Sequence, residues 1–207
     1  MSSKLANGLL VVTGAVIILA YLGSQADQQR SNVADGTRGA ANLVSYDRVR
    51  DLMPDTERAL IAAVERGRAA YISGSNDMAK GASRPSRARD LCTISGLQTA
   101  TRWVGRISEL SSNSEGRGVL AVEIAKDISL KTWNNSISDA GDRTLIEPDS
   151  LLYGKAVALS KGQYVAFSGT FLRSATDCIK ESSLTISGSM TDPEFVFRFT
   201  DIGPITF

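Results

Sequence analysis

A chain of 207 residues with 43% hydrophobic and 22% charged residues has the composition of an ordinary globular protein. Its formal net charge of +1 does not favour nucleic acid or an acidic surface as a partner. Histidine is absent, which excludes Ser-His-Asp and Cys-His catalytic sites within this chain and removes the commonest metal ligand.

The chain opens with an uncharged apolar stretch from Ala6 to Gly23. Its length falls within the roughly 17 to 25 residues that cross a bilayer core, and it shows no polar face. We therefore expect residues 1–23 to form a transmembrane helix or signal anchor, with residues 6–23 in the membrane. Two alternatives stay open. One is a cleaved signal peptide with a site at Ser24-Gln25-Ala26, and the other is a buried helix of a soluble domain.

The linker composition and the two cysteines bear on the cellular compartment of the protein. Residues 24–45 are small and polar, without a helical or strand period, which predicts a linker. The two cysteines, Cys92 and Cys178, suit one disulfide in an oxidising compartment, and a pair of buried thiols is equally compatible with them. Since a signal-like N-terminus and paired cysteines agree, we expect a single-pass protein of the cell membrane whose C-terminal domain is periplasmic or otherwise extracytoplasmic.

Residues 46–91 predict a helical segment. Pro54 stands close to the first helical position, and Leu60 and Val64 fall on one side of the helix that follows. A second, shorter helix is expected to break at Pro85. Its arginines could contact phosphate or lipid headgroups, but a solvated face is the favoured interpretation; they are Arg84, Arg87 and Arg89.

From about residue 101 the pattern changes to strands and turns. Strands are predicted over residues 101–110, 116–125, 128–133, 162–172, 183–190 and 191–202, with a short helix over 151–159. Phe195, Phe197 and Phe199 alternate and so predict a buried face. The order predicts an α+β protein in which residues 101–207 form a small antiparallel β-barrel of the OB type.

The segment "LLYGKAVALSKGQYVAFSGTF" resembles the passage in OB-like barrels in which a short helix precedes a "G-x-x-V-x-F-x-G" strand. "TRWVGRISEL" followed by "GRGVLAVEIA" is similar to the first hairpin of such a barrel. Over residues 101–203 the chain resembles uncharacterised bacterial membrane-anchored envelope proteins with an OB-like C-terminal domain. The resemblance implies a barrel and brings no catalytic residues with it.

The motif search finds no enzyme signature. Gly116 and Gly118 are followed by neither a helix nor a phosphate-binding lysine motif. The acidic residues of the loop 134–150 do not have EF-hand spacing, so a solvated acidic loop is favoured over a Ca²⁺ site. We therefore predict no catalytic residue, no metal and no cofactor, and expect a protein that is not an enzyme.

An exposed aromatic beside a polar loop is the pattern that favours binding. Trp133 adjoins Asn134 and Asn135, and Tyr164 is a further aromatic able to stack on a ligand; these four are the predicted ligand-binding residues. Residues 100–207 carry 11 lysines and arginines against 13 aspartates and glutamates, a formal charge of −2, which makes nucleic acid unlikely as a partner.

The expected function is that of a membrane-anchored, non-enzymatic binding or assembly module of the cell envelope. It would contact another envelope protein or a small ligand through the barrel. The alternative is an OB-type module that faces the cytoplasm and binds nucleic acid or nucleotides.

Overall fold

The computed structural model of the protein describes residues 48–205, and those from Val49 onward form one compact unit. The predicted membrane segment and linker, residues 1–45, lie outside the described residues. The main helices are α1 (Asp55–Ser73), α2 (Asp77–Thr93), α3 (Ser136–Asp139), α4 (Leu151–Val157) and α5 (Ile186–Thr191). The strands are β1 (Thr99–Ser112), β2 (Gly118–Ala125), β3 (Ile128–Lys131), β4 (Tyr164–Phe171), β5 (Arg173–Ser174), β6 (Cys178–Ile179) and β7 (Glu194–Pro204). A membrane-spanning candidate, judged by helix length and hydropathy, is not found within residues 48–205.

Five strands close into a barrel in the order β1-β2-β3-β7-β4. The pairings are antiparallel except that of β3 with β7, which is parallel and brings Leu130 opposite Phe195. The expectation of a purely antiparallel barrel is therefore wrong at this one pairing. The reason is geometric, because strand direction cannot alternate all the way round a closed ring with an odd number of strands.

The barrel interior is filled by aromatic side chains from β4 and β7. Phe195, Phe197 and Phe199 are buried, which confirms the prediction from their alternation. The Phe197 ring meets that of Phe199 edge to face at 4.8 Å between centroids, and meets that of Phe167 at 5.8 Å. Such aromatic pairs add about 0.5–1.5 kcal/mol each beyond the area they bury.

Helices α1 and α2 pack onto this barrel. The α1 helix begins directly after Pro54, and α2 begins after Asn76, whose side chain accepts the backbone N–H of Ala79 at 3.0 Å. Leu60, Val64 and Leu91 are fully buried in the hydrophobic cluster that also holds the barrel interior. The helical segment and the barrel therefore share one core.

The expected break at Pro85 does not occur, because α2 runs through this residue without interruption. A proline inside a helix removes one hydrogen bond and crowds the preceding turn. Here Arg84 and Arg87, on either side of Pro85, are both held by ion pairs to carboxylates downstream of β4. These tertiary contacts offset the local preference to end the helix.

The strand expected over residues 183–190 is also wrong, because the segment contains α5. The Thr185 hydroxyl accepts the backbone N–H of Gly188 at 3.0 Å and so caps a short helix. A two-stranded ribbon, β5 with β6, precedes it and was not predicted from the sequence.

Candidate functional site

Trp133 lies just after β3, at the start of the loop of residues 134–150. It is half-buried, and its indole N–H donates to Asp142 Oδ2 at 2.8 Å. The Lys180 ammonium lies 6.0 Å from the centroid of the Trp133 ring, within reach of a cation–π interaction. Trp133 is therefore less exposed than the sequence predicts. Its one polar atom, the indole nitrogen, already has a hydrogen-bond partner in the loop.

Asn134 and Asn135 are exposed. The Asn135 side chain accepts the backbone N–H of Ser138 at 2.9 Å and thereby caps α3. Its amide group donates to Asn134 Oδ1 at 2.8 Å. These two residues thus have a local structural role, and their exposed atoms remain accessible to a partner.

The acidic loop is more ordered than its composition suggests. Asp139 is buried and accepts hydrogen bonds from the backbone N–H of Thr144 at 2.6 Å and from the Thr144 hydroxyl at 2.7 Å. Asp142 pairs with Lys180 at 2.5 Å, and Arg198 Nε donates to the carbonyl oxygen of Arg143 at 3.1 Å. The favoured interpretation as a solvated acidic loop is wrong for Asp139. Among residues 48–205, no group of three or more acidic or cysteine side chains is placed to hold a metal ion.

Tyr164, the fourth predicted ligand residue, lies on β4 opposite Arg106 of β1. It is half-buried and packs against a small hydrophobic cluster formed by Val49, Met53 and Val104. Tyr164 therefore lies on β4 beside this cluster, whereas Trp133 lies in the loop after β3.

Arg84 and Arg87 of α2 are used in the fold, whereas Arg89 is exposed, as the prediction of a solvated face requires. Arg84 binds both carboxylate oxygens of Asp177, with contacts of 2.7 and 2.8 Å. Arg87 and Glu181 form an ion pair whose side chains are 1% and 2% exposed. Burial raises the pKa of Glu181 to about 7, an effect that the positive charge of Arg87 opposes.

A disulfide joins Cys92, near the end of α2, to Cys178 in β6, with 5.5 Å between the Cα atoms. The bond therefore lies on the same side of α2 as the two ion pairs and links the helix covalently to the ribbon. The sequence leaves open a disulfide or a pair of buried thiols, and the structure contains the disulfide.

Two adjoining clefts lie on the outer wall of the barrel, beside β4 and the end of β7. Their volumes are about 430 and 500 Å³, a size typical of ligand sites. Arg102, Ala166 and Pro204 line both clefts. We call the two together the Arg102 groove; its remaining lining residues are Leu52, Pro54, Thr101, Val104, Lys155, Ala158, Leu159, Gln163, Phe167, Ser168, Asp201, Ile202, Gly203 and Ile205.

Arg102 occupies this position because of a bulge in β1. Ala100 pairs with Gly169 and Trp103 pairs with Phe167, so that two residues of β1 stand opposite the single residue Ser168. Arg102 adopts a left-handed backbone conformation, with φ of 53°, and its backbone N–H donates to the Ser168 hydroxyl at 3.0 Å. Bulges of this kind redirect a side chain and increase the local twist.

Charges along the groove are partly paired. The Lys155 ammonium binds Asp201 Oδ1 at 2.6 Å, and this hydrogen bond lowers the pKa of the Asp201 carboxyl. The Arg102 side chain is exposed and makes no hydrogen bond or ion pair with any of residues 48–205. The charge of Arg102 also helps to lower the pKa of Asp201. The groove therefore offers a guanidinium that makes no hydrogen bond within residues 48–205 and lies among both apolar and polar side chains.

Sequence reasoning did not find Arg102, since it lies inside a stretch that predicts a regular strand. The bulge arises from the pairing of β1 with β4, more than sixty positions away along the chain, and neither of its two residues, Thr101 and Arg102, is a glycine that would signal it. Comparison of the chain with known protein families, with curated proteins and with solved structures finds no match.

Proposed function

We propose that the protein is a membrane-anchored, non-enzymatic binding or assembly module of the cell envelope. Its OB-type barrel would contact a protein or a small ligand. The observation that carries this proposal is the Arg102 groove, which combines apolar and polar side chains with a guanidinium that makes no hydrogen bond or ion pair within residues 48–205. Sites of this composition are typical of recognition surfaces.

The strand order supports the OB assignment. In OB-type barrels five strands close with the last strand inserted between the third and fourth, and a helix commonly precedes the fourth strand. Here β7 lies between β3 and β4, and α4 lies between β3 and β4 along the chain. Because a fold alone does not determine function, this likeness supports a binding class and names no ligand.

The anchor and the compartment rest on separate observations. The apolar residues 6–23 favour a membrane segment. The disulfide between Cys92 and Cys178 supports an oxidising compartment. A periplasmic or other extracytoplasmic position for the barrel is consistent with both.

Two carboxyl groups with raised pKa values bear on whether the protein is an enzyme. Burial raises the pKa of Glu57 to about 8 and that of Glu181 to about 7. Perturbed carboxyl groups are candidates for acid–base catalysis when they face a cleft. Glu57 instead binds a backbone N–H of β1 and Glu181 binds Arg87, so both are used in packing, which favours a binding role.

The first experiment tests location with a topology reporter fused to the C-terminus of the full-length chain, together with thiol labelling in intact cells. We expect an extracytoplasmic signal, membrane fractionation, and labelling of Cys92 and Cys178 only after reduction. A cytoplasmic reporter with both thiols free would overturn the proposed position.

The second experiment tests binding by placing a photocrosslinking amino acid at Ala166, inside the groove, and at Leu184, which is 99% exposed and outside it. We expect a crosslinked adduct in cells from position 166 and none from position 184. Salt-sensitive, submicromolar binding of single-stranded DNA, measured by fluorescence anisotropy, would instead support the nucleic-acid alternative.

A further inference from the structure

The Arg102 groove has a definite order of chemical features along its length. At one end the lining is apolar and comes from Leu52, Pro54 and Ile205. At the other end it comes from α4 and the residues just after it, including Ala158 and Leu159. At this second end the apolar side chains are mixed with Lys155, Gln163 and Asp201. Arg102 lines both clefts and therefore has apolar side chains on both sides of it.

The floor of the groove is formed by small outward-facing residues. Ala166 and Ser168 of β4 and Gly203 of β7 line it, while the bulky residues of β4, such as Phe167, are buried inside the barrel. Small residues on a floor allow a chain to approach the sheet closely. Because both clefts are open to solvent, the groove can take an extended ligand that enters and leaves it.

The backbone at Arg102 is in a conformation that glycine adopts more readily. A left-handed φ at a residue other than glycine, asparagine or aspartate costs of the order of 1 kcal/mol. Such outliers are concentrated at binding and catalytic sites. Here the conformation places a cation at the junction of the two clefts, where it makes no hydrogen bond or ion pair with residues 48–205.

The Arg102 guanidinium makes no hydrogen bond within residues 48–205 and has apolar side chains on both sides. Such a site favours a ligand carboxylate that itself has apolar neighbours. Arginine binds carboxylates through two parallel hydrogen bonds. The Ser168 hydroxyl, which accepts the N–H of Arg102, has its own hydrogen left to donate. The single negative charge of Asp201 is shared between the hydrogen bond to Lys155 at 2.6 Å and the nearby charge of Arg102. These three groups together leave one positive charge, which a ligand carboxylate would balance.

We propose that the Arg102 groove binds an extended peptide segment of a partner protein, with an aspartate or glutamate of that segment seated on Arg102 and apolar side chains on both sides of it. This inference rests on the proposed binding function and names the class of partner. An anionic lipid surface fits less well, because Asp201 would face it and the unpaired positive charge in the groove is that of one arginine.

The test uses the full-length protein in detergent micelles and short fluorescent peptides in matched pairs. Each pair has one acidic residue flanked by apolar residues, and its partner has glutamine or asparagine at that position. We expect the acidic peptides to bind about tenfold more tightly or better than their amide partners, as a charge-assisted hydrogen bond predicts.

Two variants of Arg102 separate a binding role from a structural one. R102Q is expected to abolish the preference for acidic over amide peptides. R102G is expected to lose the same preference while its urea midpoint equals or exceeds that of the wild type, because glycine relieves the left-handed backbone. The matched control is R89Q, which removes an exposed arginine of α2 that does not line the groove and should leave peptide binding unchanged.

Equal binding of the acidic and amide peptides, or an unchanged preference in R102Q, would overturn the inference. So would Arg102-dependent binding to phosphatidylglycerol vesicles in the absence of peptide binding, which would assign the groove to lipid. If the in-cell crosslink at position 166 persists in R102Q, the proposed binding function stands and this inference fails.

Discussion

Glu57 of α1 accepts the backbone N–H of Val104 of β1 through Oε2 at 3.0 Å, and Glu57 is fully buried. Val104 pairs with Ala166 of β4, and the pairing of β1 with β2 begins only at Arg106. The helix thus supplies an acceptor to a strand amide that β2 does not reach. A neighbouring bond from the Trp103 indole N–H to the Thr56 hydroxyl, at 3.3 Å, joins the same two elements.

This contact makes stability depend on pH. Burial raises the pKa of Glu57 from 4.5 to about 8, against the opposing effects of the Val104 N–H and the charge of Arg58. Between these values the folded chain keeps a proton that the unfolded chain has lost, so the free energy of unfolding falls as pH rises from about 4.5 to about 8. Below that range the contribution is fully present.

We expect E57Q to remove this dependence, because glutamine stays neutral and its carbonyl oxygen can accept the Val104 N–H. One pKa unit corresponds to about 1.4 kcal/mol. At pH 8 the variant should therefore exceed the wild type by about 2–4 kcal/mol in free energy of unfolding, and near pH 4 the two should be equal. Urea titrations across this range measure the difference, with E65Q, an exposed position of the same helix, as the control. A difference that does not change with pH would contradict the assignment.

The buried pair of Arg87 and Glu181 gives a second prediction. R87M should cost about 3–5 kcal/mol at pH 8, because it leaves the Glu181 carboxylate buried without a counter-charge. The double variant R87M/E181L should recover most of this loss, since both charges are then absent. A double-mutant cycle in urea measures the coupling. R66Q serves as the comparison, because the side chains of Arg66 and Asp90 are 61% and 42% exposed and the loss of this pair should cost much less.

The same pair shows where the sequence is informative and where it is not. Strand positions such as Phe195 and Phe197 follow from alternation, because residues two apart share a face whatever the strand pairs with. Arg87 has no such signal. Its burial depends on Glu181, 94 positions later, and only the folded arrangement brings the two charges together.

The residues of the candidate site likewise cannot be identified from the local sequence pattern. The position of Asn135 beside an aromatic in a polar loop predicts a ligand contact, yet its side chain caps α3. Arg102 has no signal in the sequence, because a bulge is a property of two paired strands rather than of either strand alone. The strand pattern predicts a small barrel, and the structure contains one; that five strands close it completely, with one parallel pairing, depends on contacts between strands.

The disulfide supports a third prediction. It closes a long loop, with a sequence separation of 86 between Cys92 and Cys178, and removing it should lower the free energy of unfolding by about 2–4 kcal/mol. Urea unfolding of the wild type with and without dithiothreitol measures this loss. The variant C92A/C178A should match the reduced wild type and show no response to the reductant. An equal response in both proteins would show that dithiothreitol acts elsewhere.

The fourth prediction concerns the close approach of β4 to β7 at Gly169. A methyl group there would overlap the carbonyl oxygen of Arg198 and the ring of Phe197. Both neighbours are held, one in the backbone of β7 and one in the aromatic core, so neither can move without loss. We expect G169A to cost at least about 2 kcal/mol or to prevent folding, as overpacking of a tight core does. The control is G203A on β7, where a methyl meets no atom within 4 Å and the change in stability should stay within about 0.5 kcal/mol. Equal urea midpoints for the two variants would mean that the strands are not packed as closely at Gly169 as described.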